Sequence, residues 1–291
     1  MLGNWAEAHL VAALPQNIFQ EKIMSIKAIV AGAGGRMGKR IAQIISETRG
    51  ITLKGGTELK GSVLVGKDLG HVTGTGNNNI NISNRMEEII NNGDVIIDFT
   101  SPEATMENLK IAVSYKKDII IGSTGLSKEH LSEINKASKK IRIVQAPNMS
   151  AGVNVLFKLV KEAAASLKDG YDIEITEAHH RFKKDAPSGT AVKIADILAK
   201  ATKRDINKVG VYGRKGMIGE RTDQEIGIHV IRGGDIAGDH TVTFCGMGER
   251  VQLSHVAHNR DNFARGAVRA ALWLSHKKPG LYDMMDVLGL K

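Results

Sequence analysis

The sequence is poor in cysteine, in aromatic residues and in long apolar runs, on which several specialised classes of protein depend. Its 291 residues include one cysteine, Cys245, which excludes an internal disulfide and fits a reducing compartment. Aromatic residues make up 4% of the chain, so no platform for stacking nucleic-acid bases is evident. No run approaches the roughly 18 uncharged apolar residues that a membrane helix requires. We therefore expect a soluble, cytoplasmic, globular protein without a membrane partner.

The net charge of +9 raises the question of a nucleic-acid partner. Lys and Arg are scattered along the whole chain, however, and form neither a basic tail nor a stripe. A small anionic substrate and an anionic cofactor account for the charge, and we expect no nucleic-acid binding.

The first residues contain one short apolar stretch, 10–14, with no Lys or Arg before it. A secretory signal needs a basic start and a longer apolar run. Met24 looks like a natural start immediately ahead of the first strand. We predict that residues 1–25 form a disordered N-terminal extension, of which 1–23 lie upstream of that start.

A short β-branched run, residues 26–31, leads into a glycine-rich turn and then into a helical pattern. Such a turn lets backbone N–H groups approach a pyrophosphate, and its spacing fits G-x-x-G-x-x-G through Gly32, Gly35 and Gly38. Glu58 follows a second predicted strand, about 20 residues beyond the last glycine, where an acid can bind the adenosine ribose. The residues we assign to the dinucleotide here are Gly32, Ala33, Gly34, Gly35, Arg36, Met37 and Glu58.

The acid at position 58 bears on the choice of cofactor. A carboxylate there favours NADH, because it repels the 2′-phosphate of NADPH. Nearby cations at Arg36, Lys39 or Lys60 could compensate, so the hypothesis is NADH or NADPH as cofactor with NADH preferred. The alternative interpretation of Glu58 is an ordinary surface acid.

Three further strand-like runs, 95–99, 118–121 and 141–145, alternate with helical segments. This alternation predicts an α/β fold with a Rossmann-like, doubly wound parallel sheet. Ligands bind at the carboxyl ends of such strands, where small polar residues stand at 122–125 and 146–150. Ordinary turn chemistry explains those residues equally well.

The second half contains a dense group of potential ligands for an anion. Residues 171–176 alternate as a half-buried strand does, and His179 and His180 follow where that strand should end. Residues 190–199 have helical spacing, so Ser188, Gly189 and Thr190 fall at a helix start, whose free N–H groups bind carboxylates and phosphates.

Later runs suggest how this half is built. Residues 226–232, 240–246 and 250–257 alternate and are joined by short glycine-containing turns, which predicts neighbouring antiparallel strands. With the helices around them, they predict a second, α+β domain on an open mixed sheet. Residues 259–276 have the pattern of a long helix.

The string from Glu177 to Ala191, EAHHRFKKDAPSGTA, resembles the signature of the 4-hydroxy-tetrahydrodipicolinate reductase (dihydrodipicolinate reductase) family. The resemblance implies that His179 and Lys183 are proton donors. It further implies that His180, Gly189 and Thr190 hold the substrate. It assigns seven strand-end residues to the nicotinamide and ribose: Gly122, Ser123, Thr124, Ala146, Pro147, Asn148 and Met149.

The family also implies an activity and an organisation. The activity is NAD(P)H-dependent reduction of 4-hydroxy-tetrahydrodipicolinate to tetrahydrodipicolinate, with loss of water, in lysine biosynthesis through diaminopimelate. The organisation is a homotetramer whose dinucleotide-binding domain, 26–150 plus 260–291, is interrupted by a substrate-binding and oligomerisation domain, 151–259. Arg232 begins a stretch that matches a family pattern near the active site, although it could equally be a solvated arginine in a turn.

We expect no metal, because neighbouring side chains on a strand, such as His179 and His180, point to opposite faces. Three rival functions are a different nicotinamide enzyme, such as an amino-acid or homoserine dehydrogenase, an idle nucleotide-sensing regulator, and a nucleic-acid binder. The first has no reason to carry both the histidine pair with Lys183 and the Ser-Gly-Thr turn, and the second has no use for clustered proton donors. The third predicts a steep salt dependence of affinity, which can be measured.

Overall fold

A computed structural model describes residues 25–167 and 169–291, so nearly all of the predicted N-terminal extension lies outside the described residues. The strands are β1 Ile26–Ala31, β2 Ile51–Thr57, β3 Val95–Asp98, β4 Asp118–Ile121, β5 Arg142–Gln145, β6 Asp172–His179, β7 Gly210–Tyr212, β8 Ile226–Arg232, β9 Gly238–Cys245, β10 Arg250–Ala257 and β11 Gly280–Tyr282. The helices are α1 Arg36–Glu47, α2 Leu69–Thr73, α3 Met86–Ile89, α4 Pro102–Ser114, α5 Lys128–Ala137, α6 Ala151–Ser166, α7 Gly189–Ala201, α8 Ile206–Val209, α9 Asp261–Leu274 and α10 Met284–Leu288, with a 3₁₀ turn at Ile90–Asn92. No helix in these ranges is long and apolar enough to cross a bilayer.

The first sheet has six strands in the order β2-β1-β3-β4-β5-β11, and every pairing is parallel. Strands β3 and β4 are buried at every position because helices cover both faces, which explains why each contains three consecutive apolar residues. Helices α1 and α9 pack on one face and α4 and α5 on the other. This arrangement confirms the predicted Rossmann-like sheet, whose strand order reverses at β1 and β3, where such folds bind their ligands.

The last part of the chain returns to the first sheet. Helix α9 buries Ala264, Ala267 and Ala271 in the same core as Ile41 and Ile44 of α1. Strand β11 pairs with β5 as an edge strand. The positions of the domain boundaries stay a prediction.

The second sheet has five strands in the order β10-β9-β6-β8-β7. It is mixed, as predicted, because β6 runs parallel to β8 and antiparallel to β9. The prediction that β8 and β9 are neighbours is wrong, since β6 lies between them. Ile173 and Ile175 of β6 are fully buried, and a strand with so apolar a face takes the centre of the sheet.

Helices α6 and α7 cover one face of this second sheet. Their apolar residues form a core with the inward side chains of β6, β8 and β9, including Ile175, Ile228 and Phe244. Because side chains alternate along a strand, Glu174 and Thr176 of β6 point to the opposite face. Helices α6 and α7 therefore cover only one of the two faces of the second sheet. The covered face leads to the site.

Candidate active site

Along one face of strand β6, apolar side chains are followed by ionisable ones. Ile173 and Ile175 are followed on that face by Glu177 and His179, because residues two apart in a strand point the same way. The Glu177 side chain has no exposed surface, whereas His179 is the last residue of the strand. The prediction that the histidine pair lies at the strand end is confirmed.

The register of the second sheet brings two distant residues to the same place. His179 pairs with Arg232 of β8, and Glu177 pairs with His240 of β9. Partners opposite one another share a face, so an acid, two imidazoles and a guanidinium meet at this end of the sheet. Arg232 is therefore no solvated turn residue, since its side chain is 19% exposed and bonded to Glu177.

Glu177 accepts four hydrogen bonds. Oε2 accepts from Arg232 Nη1 at 2.8 Å and contacts His179 Nδ1 at 2.6 Å. Oε1 accepts from Arg232 Nη2 at 2.8 Å and from the backbone N–H of Ser188 at 2.9 Å. Burial disfavours the charge, but the bonds from Arg232 and His179 outweigh it and hold the pKa of the Glu177 carboxyl below its ordinary value.

The imidazole of His179 lies edge-on to that of His240, with ring centroids 5.2 Å apart. Burial is the main reason that the pKa of His179 lies below its ordinary value, and Glu177 opposes this effect. Burial and the nearby His179 lower the pKa of His240 to about 4, so His240 is neutral at physiological pH. Within 25–167 and 169–291 no group of three or more His, Cys, Asp or Glu side chains is arranged to hold a metal ion; a metal-free site stays a prediction.

The start of α7 lies beside this cluster. The predicted helix start at residues 188–190 is confirmed. Ser188 is the N-cap of α7, and its Oγ accepts from Ala191 N–H at 3.2 Å and contacts His240 Nε2 at 3.0 Å. Gly189 and Thr190 occupy the first turn, where backbone N–H groups have no acceptor within the helix. Their N–H groups suit an anion.

Two other predicted residues lie in the loop between β6 and α7. Lys183 Nζ donates to both carboxylate oxygens of Asp185 at 2.8 Å, and its side chain is 19% exposed. The Nδ1 atom of His180 is buried without a protein partner. An unpaired buried nitrogen beside a cleft is available to a ligand.

These elements line one side of a cleft of about 880 Å³, and the first sheet lines the other. Asn148 Nδ2 donates to Thr190 Oγ1 at 3.1 Å and joins the two sides. The predicted residues in the cleft wall are Met37, Gly122, Ser123, Thr124, Pro147, Asn148, Met149, His179, His180, Lys183, Gly189 and Thr190. The sequence analysis did not single out the cleft residues Phe99, Gln145, Asp185, Lys193, Arg260 and Phe263.

The remaining predicted residues, Gly32, Ala33, Gly34, Gly35, Arg36, Glu58 and Ala146, are not in the wall of this cleft. Most of them form the turn between β1 and α1 or stand beside it. A Cβ at Gly38 would lie 2.1 Å from the Gly32 carbonyl oxygen, so α1 starts this close to β1 only with glycine. Gly35 caps α1 without a side-chain hydrogen bond. The first-turn N–H groups fit a dinucleotide pyrophosphate.

Glu58 stands just after β2 and beside that turn. Its Oε1 accepts from Gly34 N–H at 2.7 Å, and a Cβ at Gly34 would lie 2.9 Å from the same oxygen. A ribose-binding acid needs this closeness to the glycine turn. On the cleft side, Arg260 lies near Arg36, and burial with that neighbouring charge lowers the pKa of Arg260.

The fold and the cleft together define a class, the two-domain nucleotide-binding oxidoreductases. In this class the carboxyl edge of a Rossmann-like sheet faces a second, separate sheet across a cleft. Residues 26–149 match the family model described as dihydrodipicolinate reductase, N-terminus, and residues 152–288 match the one described as its C-terminus. The chain belongs to the dihydrodipicolinate reductase family, whose members are NAD(P)H-dependent oxidoreductases.

Individual relatives agree with this assignment. The 4-hydroxy-tetrahydrodipicolinate reductases of Syntrophus aciditrophicus and Syntrophotalea carbinolica are each 53% identical to the chain over 266 residues. Those alignments cover 91% of this chain and 99% and 100% of the relatives. Among solved structures, dipicolinate-bound dihydrodipicolinate reductase from Paenisporosarcina sp. TG-14 has a TM-score of 0.72 and 25% identity, covering 90% of this chain and 99% of that one.

Proposed function

We propose that this protein reduces 4-hydroxy-tetrahydrodipicolinate to tetrahydrodipicolinate with loss of water, in lysine biosynthesis through diaminopimelate. The observation that carries the proposal is the cleft itself. It sets His179, Lys183 and the start of α7 opposite the carboxyl edge of the first sheet. The names of the relatives, each a reductase of this compound, support the same substrate.

The substrate would be held as a dianion. The N–H groups of Gly189 and Thr190 suit one carboxylate, and the unpaired Nδ1 of His180 suits a second polar group of the ring. The Paenisporosarcina enzyme was solved with dipicolinate, a planar ring with two carboxylates, which agrees with an anion of this shape.

Proton transfer would fall to His179 and Lys183. Loss of water from the 4-hydroxy compound gives a conjugated imine, to which a nicotinamide held in the cleft would supply a hydride. Addition of that hydride builds negative charge at the far end of the conjugated system. A positioned acid lowers the barrier by delivering a proton as this charge forms. Imidazole and ammonium groups that border one cleft suit this task.

We further propose that NADH is the preferred cofactor and that NADPH is used more slowly. Glu58 beside the glycine turn would accept from the ribose hydroxyls of NADH and repel a 2′-phosphate. Leu59 follows it, so no arginine stands immediately after the acid. The test compares kcat/KM for the two cofactors, and a strong preference for NADPH would overturn this part of the proposal.

The assembly would be a cytoplasmic homotetramer formed through the face of the second sheet that α6 and α7 leave uncovered. Light scattering in solution gives the mass of the particle. A monomeric mass at micromolar concentration would refute the tetramer and would leave the proposed activity unaffected.

A coupled assay tests the reaction. The ring compound is generated from aspartate semialdehyde and pyruvate, and loss of NADH absorbance is followed. Replacing the ring compound by homoserine or amino acids with NAD⁺ tests the rival dehydrogenases. Turnover with those compounds, and none with the ring compound, would reject the proposed function.

A further inference from the structure

Glu177 has a chemical setting that stability alone does not explain. A carboxylate without exposed surface is costly, and a buried ion pair is often no more stable than an apolar replacement. Yet both oxygens are fully used, by Arg232, by His179 and by the N-cap of α7. The three partners come from three different elements, and two of them, His179 and the α7 start, border the cleft.

We propose that Glu177 is a positioning residue that fixes His179 with its proton on Nδ1, leaves Nε2 to exchange a proton with the substrate, and ties this imidazole to the substrate-binding start of α7. The proposal rests on the proposed function for the identity of the reaction. It adds a residue outside the cleft wall to the machinery.

The tautomer follows from hydrogen-bond chemistry. A carboxylate paired with a guanidinium can only accept, so the 2.6 Å contact to His179 Nδ1 requires a proton on Nδ1. Nε2 is then the atom that titrates. It lies against Gly238, where an added Cβ would come within 3.0 Å of it. In the transfer, the Nε2–H bond of the imidazolium breaks and the proton goes to the substrate, while Nδ1 keeps its proton and continues to donate to Glu177.

Charged and titratable side chains from four parts of the fold surround His179. Lys183 in the following loop and Arg232 on β8 disfavour the imidazolium, and burial does so more strongly. His240 on β9 faces the ring edge-on and is neutral at physiological pH. Glu177 on β6 itself opposes these effects and raises the pKa of His179. Without this carboxylate, the imidazole would hold its proton only at lower pH.

The chain offers a matched control on the same strand. Glu174 also binds a histidine and arginines, His229 at 2.7 Å and Arg214 at 2.9 Å among them, but on the opposite face. Glu177→Gln and Glu174→Gln therefore remove the same charge from similar surroundings at two distances from the cleft. Light scattering first establishes that both variants keep the mass of the unmodified protein.

The expected result is a change in the pH profile of kcat for Glu177→Gln alone. Activity needs protonated His179, so kcat falls as pH rises through the pKa of His179 in the complex. Loss of Glu177 lowers that pKa and moves the fall to lower pH. At pH 7.5 kcat drops roughly 10- to 100-fold, less than for loss of the acid itself, and it recovers in part as pH is lowered. KM for NADH stays unchanged, and Glu174→Gln keeps the profile of the unmodified enzyme.

A profile of Glu177→Gln that falls at the unmodified pH, or an equal shift in Glu174→Gln, would overturn the proposal. Nitrogen NMR of the unmodified protein gives a second test that needs no folded Glu177 variant, with the resonances assigned through His179→Gln. The expected spectrum has a proton on Nδ1 and a titrating Nε2, and the opposite tautomer refutes the proposal. This spectrum is independent of the substrate, so a failed coupled assay would reject the proposed function and leave the tautomer to be judged by itself.

Discussion

Strand β6 carries, on its opposite faces, two clusters built from the same residue types: glutamate, histidine and arginine. Glu177 binds His179 and Arg232 on the face that leads to the cleft, and Glu174 binds His229 on the other face. In the first cluster the carboxylate contacts Nδ1, and Nε2 stays clear of it. In the second the carboxylate contacts Nε2 itself. In our proposal, the same three residue types therefore leave Nε2 of His179 free for proton transfer, whereas the ring of His229 is bound to the carboxylate through Nε2.

The second cluster also holds a loop. Arg214 and Arg221, in the connection between β7 and β8, both donate to Glu174, at 2.9 and 3.1 Å. Burial disfavours this charge, but the arginines and His229 outweigh it and lower the pKa of Glu174 to about 2. Surroundings, rather than residue types, therefore distinguish the cluster at the cleft from a structural ion pair.

The largest effect on kcat should come from replacing one of the two histidines, His179. His179→Gln should lower kcat by roughly 10²- to 10⁴-fold, the usual contribution of a positioned acid, with little change in cofactor affinity. His229→Gln should leave kcat unchanged. Steady-state kinetics at saturating NADH measure both. An increase in KM alone for His179→Gln would make that residue a binder.

The next effect is on stability and belongs to Glu174. A carboxyl whose pKa is lower in the folded than in the unfolded state stabilises the fold above its unfolded pKa, and this contribution is lost as pH falls toward about 2. Glu174→Gln should reduce the free energy of unfolding by on the order of 2 kcal/mol at pH 7, and by less at pH 3. Urea unfolding at both pH values measures it, with the exposed Glu107→Gln as control. A difference that is the same at both pH values would speak against the ion pair as its source.

A smaller effect should follow from filling the space beside His179. Gly238 has a φ of 153°, and Gly238→Ala would press a methyl group against Nε2. We expect kcat to fall roughly tenfold through displacement of the ring. Gly248→Ala is the matched control, because Gly248 has a φ of 91° with open space around it. Equal kcat in the two variants would argue that only backbone strain matters.

The smallest effect concerns one hydroxyl at the cleft. Thr190→Val removes the bond from Asn148 and a possible donor to the substrate, so KM for the ring compound should rise about three- to tenfold at unchanged kcat. Thr241→Val removes a comparable bond, to Ser254 at 2.9 Å, from the opposite face of the sheet. KM should be unaffected there. A normal KM for Thr190→Val would remove Thr190 from the site.

Much of this arrangement can be predicted from local sequence. The glycine turn, the parallel strands and the Ser188 N-cap each depend on residues close together in the chain, and the structure has all three. Glu177 was within reach of the same reasoning, since it stands two positions before His179 and a strand puts such residues on one face. Its hydrogen bonds from Arg232 and Ser188, which belong to other elements, mark it as part of the cluster.

The rest depends on contacts between distant strands. His240 and Arg232 join the cluster through the register of β9 and β8 on β6, which no local pattern contains. The same lack of long-range information led to the wrong adjacency of β8 and β9. Three-residue strands such as β7 and β11 are too short for a periodic signal and were not predicted.

The late position of α9 in the chain has a consequence for biosynthesis. This helix completes the core beside α1, so the apolar surface around Val30 and Ile97 lacks its cover until the ribosome has made residues 261–274. A nascent chain halted before residue 261 exposes that surface and is a natural client for chaperones.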